Sequence, residues 1–194
     1  MDYITGRTNP IITDAIASYT DSVFTDFEFT SLFRVSSIRN DNTICCIWCT
    51  TRWDTAASPV LVTEKILSYN RSTKTNSAGL VYSRSSYSDS LIYTTIDTVG
   101  RYKLSTFGAF ILDEDGAVIN RNGYSSLDDI SPLKFFHFYY NNSYYSMDFV
   151  RLYRCTVVAL DGTATHDFLP CENPSGEEGL YDVVGRAFYG FSTT

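Results

Sequence analysis

The sequence predicts an all-β fold with two packed antiparallel sheets. Alternating apolar and polar residues recur in short segments, turn-forming residues separate these segments, and no strand pattern alternates with a helical one. The 15 Tyr and 13 Phe residues agree with this prediction, because aromatic side chains favour strands. A length of 194 residues suits a single domain, residues 1–194, which would bury about 70% of the surface of its unfolded chain.

The predicted strands follow one another along the chain. In residues 22–29, Val23, Thr25, Phe27 and Phe29 share one face of a half-exposed strand, while the opposite face carries two carboxylates. Further strands are predicted over residues 33–38, 43–50, 60–68, 91–96, 102–107, 133–140 and 148–158. Residues 1–20 are expected either to join the sheets or to form an N-terminal arm that reaches a neighbour.

The connections are predicted from turn chemistry. Asp-Gly pairs at 115–116 and 161–162 each indicate a tight two-residue hairpin turn, since Asp-Gly tolerates the positive φ angles that such a turn needs. Residues 39–42 and 141–143 are further turn clusters. The polar stretch 70–90 is expected to be a long surface loop with a short strand at 80–82. Residues 125–130 are expected to form one helical turn.

The charge of the chain excludes some classes of partner. The formal net charge is -7 at pH 7, whereas nucleic-acid binding depends on Lys and Arg that neutralise phosphates. Nucleic acid is therefore not an expected partner. Membrane insertion is not expected either, because no apolar run approaches the roughly 18 residues that cross a bilayer. No signal peptide pattern is visible at Met1.

The cysteines are predicted to be reduced. Their count of 5 is odd, and no secretion signal accompanies them. A turn at 161–162 places Cys155 opposite Phe168, so Cys155 and Cys171 are offset by about 10 Å and should not form a disulfide. Cys46 and Cys49 form a CxxC, but they point to opposite faces of a strand, which favours buried thiols over a zinc site. No metal or cofactor is expected.

Exposed aromatic residues around the 141–143 turn form the candidate ligand-binding site. Flat rings beside amide groups suit a sugar ring, and they suit a protein partner equally well. Packing of the same tyrosines inside the sandwich is an open alternative. The candidate residues are Tyr139, Tyr140, Asn141, Asn142, Tyr144 and Tyr145.

No constellation of residues predicts catalysis. Asp26 and Glu28 share a strand face, but a third carboxylate is missing, and a solvated strand face explains the pair better than glycoside hydrolysis. His137 and His166 lack a nucleophile context, so packed side chains are expected. Calcium is an alternative at oxygen-bearing residues near hairpin ends, where turn chemistry explains them equally well: Asp113, Asp115, Asn120 and Asn122.

The C-terminal part of the chain has a characteristic order of motifs. An alternating strand over 152–158 is followed by Asp161-Gly162, by the segment 166–171, and by Gly179-Leu180-Tyr181-Asp182 and Phe188-Tyr189-Gly190. This order resembles the end of concanavalin A-like (laminin-G-like) β-sandwich domains, which are common in bacteriophage structural and adhesion proteins. The segments 2–4 and 11–14 resemble the opening of those domains. The resemblance implies a jelly-roll-like sandwich of two antiparallel sheets over nearly the whole chain.

The resemblance also implies a role in a virion. The expected function is a non-enzymatic bacteriophage structural module, such as a capsid decoration, head-fibre or tail-associated protein, made in the host cytoplasm. Capsid, fibre or tail proteins are the expected partners, with many copies supplying avidity. A carbohydrate-binding lectin-like adhesin on a phage tip or bacterial surface, contacting a host-surface glycan, is the alternative. A glycoside hydrolase is the third and least favoured class.

Overall fold

The computed structural model describes residues 1–16, 21–31, 42–44, 46–54, 60–70, 75–83, 94–96, 100–107, 110–112, 118–121, 132–137, 139–140, 143–144 and 146–193. Every regular secondary-structure element in these ranges is a β-strand. In chain order they are β1 (Ile4–Thr5), β2 (Ile11–Ile12), β3 (Ser22–Phe29), β4 (Asn42–Ile44), β5 (Cys46–Asp54), β6 (Val60–Asn70), β7 (Thr75–Ser83), β8 (Thr94–Ile96), β9 (Gly100–Phe107), β10 (Phe110–Leu112), β11 (Val118–Arg121), β12 (Lys134–His137), β13 (Tyr139–Tyr140), β14 (Ser143–Tyr144), β15 (Val150–Val158), β16 (Ala164–Glu172), β17 (Glu178–Asp182) and β18 (Ala187–Gly190).

These strands form two large open sheets. The first sheet has the order β11-β10-β9-β3-β15-β16-β17-β18, and β1 also pairs with β15. The second sheet has the order β2-β12-β5-β6-β7-β8, and β4 also pairs with β6. The pairings between these strands are antiparallel. The predicted all-β class with antiparallel sheets is therefore confirmed.

Aromatic side chains from both sheets meet in the core. The rings of Phe135 on β12 and Phe168 on β16 have centroids 4.9 Å apart and pack edge to face. On β3, Phe27 and Phe29 pack edge to face at 5.6 Å. All four rings are buried, so the two sheets face each other in a sandwich-like arrangement.

The segment before β3 connects the two sheets. Ile4 of β1 lies opposite Leu152 of the first sheet, and Ile11 of β2 lies opposite Phe135 of the second. The side-chain amide of Asn9 donates to the backbone carbonyl of Ser192 at 2.9 Å. Residues 1–16 therefore contact both sheets and the end of the chain.

The C-terminal meander follows the predicted register with one correction. Cys155 lies opposite Phe168 as predicted, and Cys155 and Cys171 are both free thiols. The predicted two-residue turn is wrong, because Ala159 bonds to Thr163 and the loop contains three residues. Only Gly162 in this loop has a positive φ, of 86°, which is the geometry of a three-residue hairpin loop that ends on a left-handed glycine.

The alternation predicted for residues 22–29 is confirmed residue by residue. The side chains of Val23, Thr25, Phe27 and Phe29 are buried, while Phe24 is 47% exposed. The structure differs at the 70–90 stretch, where β7 spans Thr75–Ser83 and pairs with β6 over its length. The long surface loop predicted there is therefore wrong for 75–79 and 83, whereas the short strand predicted at 80–82 is confirmed as part of β7.

The predicted strand 133–140 is not continuous. It comprises β12, which pairs with β5, and β13, which pairs with β14. Phe136 has a φ of 55°, and both Phe135 and Phe136 are buried, so the alternation of faces breaks at Phe136. The described residues of the predicted strand 43–50 lie in β4 and β5, which both pair with β6, and the strand predicted from 148 begins at Val150. The predictions for residues 33–38, 39–41, 115–116 and 125–130 lie outside the described residues.

Candidate functional site

The outer face of the first sheet carries a connected group of polar and aromatic side chains. Residues of β3 that alternate with the buried ones point to this face, including Asp26 and Glu28. A bulge in β15 leaves Tyr153 without an opposite residue, because Leu152 pairs with Phe27 and Arg154 pairs with Asp26. A bulge places two consecutive side chains on the same face, and Tyr153 and Arg154 both lie outside the core.

Arg101 and Tyr153 form the centre of this group. Arg101 on β9 donates from Nε and Nη2 to the two carboxylate oxygens of Asp26, at 2.7 and 2.8 Å. Its Cζ atom lies 3.6 Å from the centroid of the Tyr153 ring. Tyr153 donates its hydroxyl to Oε2 of Glu28 at 2.7 Å. One arginine is thus held by a two-point ion pair and an aromatic ring together.

A second arginine repeats the arrangement. Arg151 donates from Nη1 to Oε2 of Glu28 at 3.3 Å, and its Cζ atom lies 4.5 Å from the centroid of the Tyr3 ring. The rings of Tyr3 and Tyr153 have centroids 5.6 Å apart. We call this set the Arg–Tyr face: Tyr3, Asp26, Glu28, Arg101, Arg151 and Tyr153.

The electrostatics of the Arg–Tyr face keep Glu28 ionised. The hydrogen bond from Tyr153, the bond from Arg151 and the charges of both arginines lower the pKa of Glu28. The same bond to Glu28 raises the pKa of Tyr153, and the bond to Asp26 raises the pKa of Arg101. A general acid at neutral pH needs a raised carboxyl pKa. The lowered pKa of Glu28 therefore does not suit the role of general acid in glycoside hydrolysis.

The neighbouring strands extend this surface in two ways. Arg154 donates from Nε and Nη2 to the two carboxylate oxygens of Asp167 on β16, at 2.8 Å each. Beyond this ion pair, Leu169 lies opposite Tyr181, and Tyr181 lies opposite Phe188. Leu169 and Tyr181 are 36% and 38% exposed. An exposed apolar pair therefore adjoins the charged part of the sheet.

Sequence reasoning missed a hydrogen-bonded pair on the inner side of the same sheet. Nδ1 of His166 lies 2.7 Å from Oδ2 of Asp182, and the His166 ring stacks on Phe168. Asp182 is 1% exposed and accepts from the backbone N–H groups of Asp167 and Val184, at 2.9 and 3.1 Å. Burial raises the pKa of Asp182, but the backbone bonds from Asp167 and Gly185 and the side-chain bond to His166 lower it more, and the net shift is downward.

The position of Asp182 gives this pair a structural role. It joins β16 to the turn that connects β17 and β18, which ties two parts of the meander together. The sequence does contain a signal for this role of Asp182. An Asp that directly precedes a turn, here the turn at Val183 and Val184, can accept hydrogen bonds from the backbone N–H groups of that turn. The partner His166 lies 16 positions earlier, a distance that no local pattern reveals.

The predicted ligand-binding residues are only partly described. Tyr139 lies opposite Tyr144, and Tyr140 lies opposite Ser143, in the hairpin of β13 and β14. Asn141, Asn142 and Tyr145 lie outside the described residues. Ser143, predicted to belong to the 141–143 turn, lies in β14 opposite Tyr140. No other described strand pairs with this hairpin.

The other candidate residues are placed as follows. His137 on β12 lies opposite Cys46 on β5, and Cys49 lies opposite Lys134. Asn120 lies in β11, while Asp113, Asp115 and Asn122 are outside the described residues. Within the described ranges, no three His, Cys, Asp or Glu side chains come together as metal ligands. None of the described segments forms a helix with the length and apolar character needed to cross a bilayer.

Comparison of the chain with protein-family models, with curated proteins and with solved structures gives no match.

Proposed function

We propose that this chain is a non-enzymatic structural module of a bacteriophage virion, with a concanavalin A-like jelly-roll topology, that docks on a neighbouring virion protein through the outer face of its first sheet. The virion assignment rests on the sequence resemblance of the C-terminal motifs. These motifs fall on consecutive antiparallel strands, β15 to β18, which is the arrangement expected of them.

The observation that carries the docking proposal is the Arg–Tyr face. Tyr and Arg are enriched at protein interfaces and dominate binding energy where they occur. Here Arg101 and Tyr153 hold each other in place through the ring contact and through Asp26 and Glu28. Because these side chains are ordered before a partner arrives, less conformational entropy is lost on binding.

The apolar pair beside the Arg–Tyr face supports the same proposal. Leu169 and Tyr181 offer apolar area that contact with a partner would remove from water. The two arginines of the face, Arg101 and Arg151, are each paired with a carboxylate, so they offer few free charges to the phosphates of a nucleic acid. A capsid, fibre or tail protein in many copies is the partner class that fits, since repeated weak contacts give avidity.

Sedimentation of intact particles tests this proposal. Particles purified on a density gradient from the lysate of the source host are probed for the chain, and we expect it to sediment with the major capsid protein. Recombinant chain added to particles that lack it should rebind, and Tyr153→Ala with Leu169→Asp should weaken rebinding. Asp161→Asn, at the exposed tip of the β15–β16 hairpin, is the matched control. A chain that stays in the soluble fraction would contradict the proposal.

A lectin-like adhesin is the second candidate, favoured by the β13–β14 hairpin. This hairpin pairs with neither large sheet within the described residues, and the sequence places Asn141 and Asn142 between two pairs of tyrosines, a composition that suits a sugar ligand. A glycan array distinguishes the two functions. Saturable binding to one sugar class that is lost in Tyr140→Ala and Tyr144→Ala, but kept in Tyr181→Ala, supports the lectin.

A further inference from the structure

The strand β1 pairs with β15 along one of its two edges. Ile4 and Thr5 lie opposite Leu152 and Arg151 of β15, and the Gly6 N–H donates to the Val150 carbonyl at 2.9 Å. Backbone groups alternate in direction along an antiparallel strand, so the N–H and C=O of Thr5 point away from β15. No described strand pairs with β1 along that side.

A groove lies along this part of the chain. It has a volume of about 510 Å³ and is lined by the segment 1–7 together with Asp148 and Glu178. Three of its four charged side chains are carboxylates, from Asp2, Asp148 and Glu178. The fourth is Arg7, which forms an ion pair with Glu178. The groove therefore has an excess of negative charge in a chain whose formal net charge is already -7.

We propose that β1 and this acidic groove accept an extended segment of a partner protein that carries Lys or Arg, by addition of a strand to the edge of β1 that faces away from β15. Main-chain hydrogen bonds to Thr5 align the segment, as in other cases of strand addition. Alternate side chains of the segment then reach the carboxylates of Asp2 and Asp148. This site shares Tyr3 with the Arg–Tyr face. Thr5 and Asp148 lie outside that face, and Tyr153 and Leu169 lie outside the groove lining, so variants at these positions test the two proposals independently.

The experiment uses a defined probe. A blocked eight-residue peptide of alternating Lys and Val, carrying a fluorophore, is titrated with the full chain and followed by fluorescence anisotropy. We expect saturable binding that weakens as salt rises, because the groove charges are exposed to solvent. The peptide of alternating Glu and Val should bind at least about tenfold more weakly. Equal binding of the two peptides would overturn the proposal.

Two variants separate the main-chain contribution from the charge. Thr5→Pro removes the N–H that points away from β15. We expect about tenfold weaker peptide binding, because one main-chain hydrogen bond and the alignment of the peptide with β1 are lost. Thr5→Val keeps the N–H and should bind as the natural chain does. Asp148→Asn should weaken binding about two- to fivefold, the range of one exposed charge interaction, whereas Asp161→Asn should not.

A separate measurement covers the case in which Thr5→Pro does not fold. Hydrogen exchange of Gly6 reports whether its bond to Val150 survives, since that bond lies on the other edge of β1. In addition, the Lys-Val peptide methylated at alternate backbone nitrogens is titrated with the unaltered chain. Loss of binding for one methylation register and not the other supports strand addition. Unchanged binding for both registers overturns it.

Discussion

The guanidinium of Arg101 lies 3.6 Å above the ring of Tyr153. Both side chains are also fixed by carboxylates two positions apart on β3, Asp26 and Glu28. The contact depends on the bulge in β15, which turns Tyr153 and Arg154 to the same side of the sheet. The sequence predicts only a solvated face at Asp26 and Glu28. In the structure, the side chains of this face are held in a connected set of hydrogen bonds and ring contacts.

Removal of the Tyr153 hydroxyl should release Glu28. We expect the pKa of Glu28 to rise in Tyr153→Phe toward its ordinary value of 4.5, as measured by NMR titration of the carboxyl carbon. A lowered folded-state pKa stabilises the fold above pH 4.5, and this contribution is lost as the pH falls through the lowered value. The stability difference between the two proteins should shrink accordingly at acid pH. An unchanged Glu28 pKa, or an equal shift in the control Tyr181→Phe, would contradict this.

Loss of the Asp182 carboxylate should destabilise the meander. Asp182→Ala leaves the N–H groups of Asp167 and Val184 and the His166 ring without their acceptor. A buried group left without its hydrogen bond costs about 1–3 kcal/mol, which urea unfolding measures. Asp182→Asn keeps an acceptor oxygen and should lose less. Because the pKa of Asp182 is lowered from 3.8, its charge-dependent contribution should disappear as the pH falls below that value.

The packing of the two sheets should depend on Phe135. Truncation of a buried Phe to Ala costs about 3–5 kcal/mol, and Phe135 contacts Phe168 of the opposite sheet. Phe24, on the outer face, is 47% exposed, and Phe24→Ala should change the free energy of unfolding by no more than about 0.5 kcal/mol. Similar losses in the two variants would show that the sheets do not pack through Phe135.

The β15–β16 hairpin should require its glycine. Gly162 has a φ of 86°, and an L-residue in a left-handed conformation costs about 1–2 kcal/mol. Gly162→Ala should therefore lower the free energy of unfolding by this amount. Gly162→Asn should lose less, because Asn tolerates that conformation. Equal stability of the Ala variant and the natural chain would refute the turn geometry.

The thiol of Cys155 should be unreactive in the folded protein. Burial raises the pKa of Cys155 to about 12, so almost no thiolate is present at pH 8. We expect iodoacetamide to modify Cys155 only after unfolding, as located by peptide mass spectrometry. Cys171, which is partly exposed, should react in the folded protein. Modification of Cys155 at the rate of Cys171 would contradict its burial.

The alternation of apolar and polar residues correctly predicted those strands that have one buried face and one solvent-exposed face. The alternation in β3 and the Cys155–Phe168 register are of this kind, because a period of two fixes which side chains point inward. Where both faces are covered, the period disappears. Phe135 and Phe136 are consecutive and both buried, so the sequence there looked like one continuous strand.

The side-chain networks could not be predicted in the same way. Residues 26, 101 and 153 meet only because β9, β3 and β15 are neighbours in the sheet, and strand order is not encoded in any single segment. The bulge that brings Tyr153 to the outer face appears in the sequence only as a shift of the apolar positions of β15, from Val150 and Leu152 to Cys155 and Val157. This shift does not reveal which residues Tyr153 contacts. The His166–Asp182 pair depends likewise on the register between two strands.

The N-terminal segment also has a consequence for folding kinetics. Asn9 bonds to Ser192, 183 positions later in sequence, and β1 pairs with β15. Contacts between such distant positions close very large loops, and proteins rich in them fold slowly. During synthesis on the ribosome, residues 4–9 can complete these contacts only after residues 150–192 have emerged.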